Sequence, residues 1–142
     1  MEFWILINAF KHFGRNLGIA FQIIDDILDV DGSQLQTGKP IGQDLTHGII
    51  TLPSLLAINK SEGENPISHM FTNGYSQSLL DECMEFVQDK DVLEECYQIA
   101  RDYSDKALGA LNILESNRYK ESLVELVGYV INRHSWLVIW LP

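Results

Sequence analysis

The sequence has few of the residues from which common chemical sites are built. Its only two cysteines, Cys83 and Cys96, form no CxxC pair, so they are expected to be buried thiols in a reducing compartment rather than redox or metal groups. The four histidines show no HExxH or other paired spacing, and no GxSxG, P-loop or dinucleotide fingerprint occurs. These absences disfavour zinc, serine-hydrolase and nucleotide-binding classes. A cytoplasmic protein is expected.

Basic residues are also scarce. Ten lysines and arginines stand against 20 acidic residues, which gives a formal charge of -10. This balance argues against nucleic acid and against an anionic membrane surface as partners, because both bind through basic residues. The apolar run at residues 3–7 is interrupted by Asn8 and Lys11 well short of a membrane span. A diphosphate ligand would need divalent cations or a further basic segment.

Strand-like alternation and hairpin turns are absent as well, and helical periodicity dominates. A long helix is predicted from about Phe3 to Val30, followed by a polar loop to about Gly48. Further helices are predicted near Thr51, over residues 67–72, and from Ser76 or Ser78. An apolar stripe with alternating steps of three and four predicts another helix; its members are Leu93, Cys96, Ala100, Tyr103, Ala107, Ala110 and Leu114. Leu123, Val127, Val130 and His134 continue this pattern on a last helix.

The predicted fold class is therefore all-α, a helical bundle. A length of 142 residues fits one domain, which we place at residues 1–135. Residues 136–142 are an apolar tail of uncertain origin. It either docks on the body of the protein, which we favour, or is exposed and prone to aggregate, and a non-native origin in a shifted reading frame stays open.

Three carboxylates interrupt an apolar stretch in the first helix. At helical pitch, Asp25 and Asp29 lie one turn apart on one face, and Asp26 lies roughly 100° around from Asp25. Two interpretations are open. The aspartates form the polar face of a surface helix, or they hold a hard cation such as Mg²⁺, which prefers oxygen ligands and is commonly shared with substrate phosphates.

The loop after this helix favours the cation. It contains Gly38-Lys39-Pro40 and then Gly42-Gln43-Asp44, so that a lysine stands among glycines soon after the aspartates. Lysine binds phosphate as a point charge, and glycine permits close approach of the backbone to a ligand. A solvated lysine in an ordinary loop is the alternative. The aspartates and the lysine loop together are less expected by chance than either alone.

The segment GRNLGIAFQIIDDILD, at residues 14–29, followed by Gly38-Lys39-Pro40 and Asp44-Leu45, resembles the second aspartate-rich region of trans-isoprenyl diphosphate synthases. Residues 48–53, GIITLP, resemble the segment that follows in those enzymes. The similarity is greatest to medium- and long-chain polyprenyl synthases and runs from about Phe13 to His134, although only its first third is specific.

This resemblance implies a Mg²⁺-dependent prenyltransferase that condenses isopentenyl diphosphate with an allylic diphosphate. It implies that Asp25, Asp26 and Asp29 are Mg²⁺ ligands. The other implied roles are diphosphate contact for Lys39, orientation of the loop for Asp44, and positions facing the reacting substrates for Phe21 and Gln22.

The family pattern has a first aspartate-rich motif and basic residues upstream, and no second DDxxD occurs in this sequence. We therefore expect an incomplete synthase that is inactive by itself, with exposed apolar helix faces that favour a homodimer or a heterodimer. A non-catalytic helical partner subunit of a prenyl synthase is the alternative function. A terpene cyclase is a third reading, which the Gly38-Lys39-Pro40 loop fits less well.

Overall fold

A computed structural model describes residues 3–31 and 40–133. All regular structure in these two segments is helical, as the sequence predicts. The helices are α1 (Phe3–Val30), α2 (Gln43–Thr46), α3 (Leu52–Lys60), α4 (Pro66–Asn73), α5 (Gln77–Val87), α6 (Lys90–Ala110) and α7 (Arg118–Ile131). A short 3₁₀ turn, Leu111–Ile113, follows α6. The predicted apolar tail and His134 lie outside the described residues.

The helix boundaries follow from local sequence signals. Asn65 accepts a hydrogen bond from the N–H of Ser68 and so caps α4, and Ser76 caps α5 by accepting from the N–H of Leu79. Thr51 is the N-cap position of α3, as predicted, but its side chain makes no capping bond. The sequence reading missed α2, because four residues are too few for a periodic pattern.

The chain forms two compact units, and α1 and α6 each contribute to both. Of the described residues, the first unit contains residues 3–24 and 98–133. Its core consists of Phe13, Ala107, Leu111 and Val127, with Leu17 and Leu123 among the residues packed around it. Val127, Val130 and Ala107 of the predicted stripes are buried. The stripe on α6 ends earlier than predicted, because the helix stops at Ala110, before Leu114.

The second unit spans residues 25–97. Within it α5 packs against α3 and α4. The amide of Gln88 donates a hydrogen bond of 2.7 Å to the carbonyl of Val30, which satisfies a carbonyl at the end of α1. Its core side chains are the C-terminal apolar residues of α1 and those of the following helices, namely Ile27, Leu28, Val30, Leu45, Ala57, Ile67, Met70, Leu80, Cys83, Met84, Val87, Val92 and Cys96.

Both cysteines are free and buried in the second unit. Burial raises the pKa of the Cys96 thiol to about 11, with a further contribution from the charge of Glu95. Burial also raises the pKa of Cys83. The reactive thiolate is therefore scarce at both positions near neutral pH.

We expect a thiol-reactive disulfide dye at pH 8 to leave Cys83 and Cys96 unmodified in the folded protein and to modify both in denaturant. Ser78, an exposed residue in the first turn of α5, provides the control: the Ser78→Cys variant should react within minutes under the same folded conditions. Rapid modification of two thiols per folded wild-type chain would contradict the burial described here.

Candidate functional site

The candidate site lies in the second unit, where the last two turns of α1 meet α2. The predicted helical spacing is correct, because α1 is continuous from Phe3 to Val30. Asp25, Asp26 and Asp29 are all partly exposed, whereas the apolar residues between them, Ile27 and Leu28, are buried. The helix thus packs through its apolar residues while the carboxylates keep access to solvent or to a ligand.

Asp29 has a structural role that the sequence did not reveal. Its two carboxylate oxygens accept hydrogen bonds of 3.1 Å from the main-chain N–H groups of Gln43 and Asp44. The carbonyl of Asp29 accepts a third, of 2.8 Å, from the N–H of Gly42. Asp29 therefore caps the N-terminus of α2 across the loop, in the manner of an N-cap side chain. Each carboxylate oxygen accepts one such bond and retains a further acceptor position.

Gly42 makes this connection possible. Its φ of 70° is in the left-handed region, and a β-carbon at this position would approach the sulfur of Met84 to 2.7 Å. The left-handed backbone conformation therefore favours glycine here, and a β-carbon would also displace the flexible side chain of Met84. Gly42 also accommodates the close approach of Met84 of α5.

Asp44 is brought close to the three aspartates of α1. Burial raises the pKa of the Asp44 carboxyl, and the negative charges of Asp29, Asp26 and Asp25 raise it further, while His47 opposes the shift. The structure thus gathers Asp25, Asp26, Asp29 and Asp44 into one region of negative potential, which we call the acidic site. Such a region attracts cations.

The acidic site is suited to contribute ligands to a metal ion but not to enclose one. No group of three or more histidine, cysteine, aspartate or glutamate side chains within residues 3–31 and 40–133 could hold a metal ion by itself. Mg²⁺ needs only one or two protein carboxylates when phosphate oxygens and waters complete its octahedral shell. The half-exposed aspartates fit that arrangement.

The acidic site as defined above does not include the remaining predicted site residues, Lys39, Phe21 and Gln22. Lys39 lies outside the described residues. Phe21 and Gln22 belong to the first unit and are exposed on α1. The guanidinium of Arg133 lies over the ring of Phe21, 4.9 Å from its centre, in a cation–π contact that orients the ring. Arg133 was missed from the sequence because nothing in its neighbourhood marks it as a partner for a residue over 100 positions away.

Comparison with known proteins decides the family. The family model "Polyprenyl synthetase" matches residues 5–87, the segment that contains the acidic site. The chain belongs to the polyprenyl synthetase family. The all-α fold is accordingly that of isoprenoid synthases, to which the described helices correspond.

Individual relatives agree with this assignment. The chain is 36% identical over 128 residues to the octaprenyl diphosphate synthase of Escherichia coli, covering 89% of this chain and 40% of that protein. It is 33% identical over 126 residues to heptaprenyl diphosphate synthase component 2 of Bacillus subtilis, covering 89% of this chain and 36% of that protein.

A solved structure is similar along most of the chain. It is the polyprenyl synthase of Caulobacter crescentus, complexed with calcium and isoprenyl diphosphate. The TM-score is 0.79 and the identity 32%, over 89% of this chain and 40% of that one. The chain therefore spans about two fifths of the length of the polyprenyl synthases that it matches.

We expect loss of the Asp29 cap to destabilise the metal-free protein in a graded way. Asp29→Ala removes both hydrogen bonds to α2 and should lower the free energy of unfolding by about 1–2 kcal/mol. Asp29→Asn retains one acceptor and should cost roughly half as much. Urea unfolding measures the free energy of unfolding of the wild type and of the two variants. Equal values for all three proteins would show that the Asp29 cap does not stabilise the fold.

Proposed function

We propose that this chain forms the part of a polyprenyl diphosphate synthase that binds magnesium diphosphate. The reaction that it serves is the condensation of isopentenyl diphosphate with an allylic diphosphate in isoprenoid biosynthesis. The observation that carries the proposal is the acidic site: partly exposed carboxylates at positions i, i+1 and i+4 of α1, with Asp44 drawn into the same negative potential. The calcium and isoprenyl diphosphate bound by the Caulobacter crescentus relative support it.

Within this proposal each residue has a distinct task. Asp25 and Asp26 offer carboxylate oxygens to Mg²⁺, and Asp29 joins them through its remaining acceptor positions while it holds α2 in place. Lys39 contacts the diphosphate. When bound, Mg²⁺ supplies charge stabilisation for the departing pyrophosphate. Asp44 keeps the loop next to the carboxylates.

Phe21 and Gln22 face the reacting substrates in this proposal. Arg133 restrains the ring of Phe21 through the cation–π contact, so a substrate that packs on this ring meets one defined surface rather than several rotamers. Arg133 acts through Phe21 and is a positioning residue.

The negative charge of the chain and of its proposed ligand agrees with a metal-dependent site. The chain has a formal charge of -10, and a diphosphate adds further negative charge. Direct binding to this surface would be repulsive unless cations intervene. A divalent cation held by Asp25, Asp26 and Asp29 would supply the positive charge that the acidic side chains themselves lack.

A second candidate is a non-catalytic helical subunit of a prenyl synthase. It is supported by the similarity to a protein named component 2 of heptaprenyl diphosphate synthase. In that case the chain acts in a heterodimer, and the acidic site serves assembly or is unused. The two free, buried thiols agree with the reducing cytoplasm as the place of action in either case.

Calorimetric titration with a non-hydrolysable bisphosphonate tests the proposed site. We expect binding in the presence of Mg²⁺ and none in the presence of a chelator. Asp25→Asn should weaken the affinity by about tenfold or more, because it removes a metal-ligating charge. The matched control is Asp105→Asn, the same change at an exposed position of α6, which should bind like the wild type. Binding that is indifferent to Mg²⁺ and to Asp25→Asn would refute the metal–diphosphate site.

Prenyl transfer by this chain alone should be undetectable. A single aspartate-rich cluster, without a second one facing it, leaves the charge of the transition state poorly stabilised. The assay follows incorporation of radiolabelled isopentenyl diphosphate onto an allylic diphosphate with Mg²⁺, and a complete octaprenyl synthase serves as the positive control. Elongated product from the purified chain would show that these residues suffice for catalysis.

A further inference from the structure

The end of α1 has two consecutive carbonyl groups that accept hydrogen bonds from different parts of the second unit. The carbonyl of Asp29 accepts a bond of 2.8 Å from the N–H of Gly42, the N-cap residue of α2. The carbonyl of Val30 accepts a bond of 2.7 Å from the side-chain amide of Gln88, the C-cap residue of α5. The last carbonyls of a helix have no partner within it, so these two bonds attach α2 and α5 to the end of α1.

A third contact joins α5 directly to the start of α2. Met84 lies one turn before Gln88 on α5 and is buried. A β-carbon on Gly42 would lie 2.7 Å from the sulfur of Met84 and 3.6 Å from the side chain of Leu80. Because Leu80, Met84 and Gln88 are spaced by four residues, they share one face of α5. This face therefore meets both the residue that precedes α2 and the residue that ends α1.

The three contacts form a closed set around the acidic site. Asp29 is bonded to Gly42, Val30 to Gln88, and Gly42 packs against Met84. Each pair of helices is thus held directly and again through the third helix. Metal sites require their ligands to be held to within about 0.5 Å by the surrounding residues. Since the carboxylate of Asp29 lies on α1 and that of Asp44 on α2, a loose contact at α5 would let the two groups move apart.

We propose that Gln88 and Met84 are positioning residues for the acidic site. From α5 they set the arrangement of Asp29 and Asp44 toward a divalent cation. Gln88 acts through the carbonyl of Val30, and Met84 acts through the backbone of Gly42. Groups that orient metal ligands from behind affect metal affinity without touching the metal. This inference rests on the proposed function, because the cation is bound there together with a diphosphate.

Calorimetric titration with Mg²⁺ and a bisphosphonate tests the role of Gln88. Gln88→Met keeps the length of the side chain and removes the donor, and it should weaken the affinity about tenfold. The matched control is Gln77→Met on the same helix, which loses a bond of 2.9 Å to the exposed Asp81 and should bind like the wild type. Circular dichroism selects a temperature at which all three proteins are folded. A lower free energy of unfolding with unchanged affinity would show that Gln88 is only structural and would overturn the proposal.

A double-mutant cycle tests the role of Met84. Gly42→Ala should weaken binding, because φ is positive at this residue and the added β-carbon meets the sulfur of Met84. Met84→Val removes that sulfur and leaves a smaller cavity than alanine would. In the Met84→Val background the loss caused by Gly42→Ala should therefore be smaller, by about threefold or more. An equal loss in both backgrounds would show that Met84 does not position Gly42.

Amide hydrogen exchange gives a measurement that needs no ligand. The N–H groups of Gln43 and Asp44 donate to the carboxylate of Asp29. Gln88→Met should raise their exchange rates about threefold or more, because the end of α1 is held less firmly, and Gln77→Met should not. If the wild type binds no bisphosphonate with Mg²⁺, the proposed function fails, and the exchange rates still decide whether α5 positions the carboxylates. Unchanged exchange in Gln88→Met would refute this positioning.

Discussion

The two hydrogen bonds from α2 to the carboxylate of Asp29 are the contact on which the acidic site depends. They fix the start of α2 to the end of α1 across a loop, and Asp44 is placed by them next to the other carboxylates. A carboxylate that accepts main-chain N–H groups is restrained in position as well as charge. The geometry of the site is thus set by backbone contacts before any ligand binds.

The clustering of aspartates in the acidic site makes an unfavourable contribution to the free energy of folding. The pKa of Asp44 is raised by burial and by its acidic neighbours, so the ionised form is less favourable in the folded protein than in the unfolded chain. Its contribution opposes folding at pH values above its ordinary pKa and fades as the pH falls and the carboxyl is protonated. Groups held in such an unfavourable state are concentrated at functional sites. A divalent cation would relieve the repulsion, which links stability to ligand binding.

Much of this could be predicted from the sequence, for identifiable reasons. The long apolar stretch of α1 and the periodic apolar stripe of α6 predicted both helices to within a few residues of their ends, since long patterns are strong signals. The family followed from the aspartates of α1 with the glycine–lysine loop. The capping role of Asp29 could not be predicted, because it depends on hydrogen bonds to residues 14 and 15 positions further along the chain. The contact of Arg133 with Phe21 depends in the same way on tertiary packing.

The two halves of α1 meet opposite physical demands. Toward its C-terminus, aspartates must stay accessible while Ile27 and Leu28 are buried, so the helix is amphipathic and its polar face is available to ions. Toward its N-terminus, Phe3, Ile7 and Phe10 are exposed, so the helix presents apolar surface there. A single continuous helix joins these regions. One helix therefore carries both a polar face that attracts cations and an exposed apolar surface.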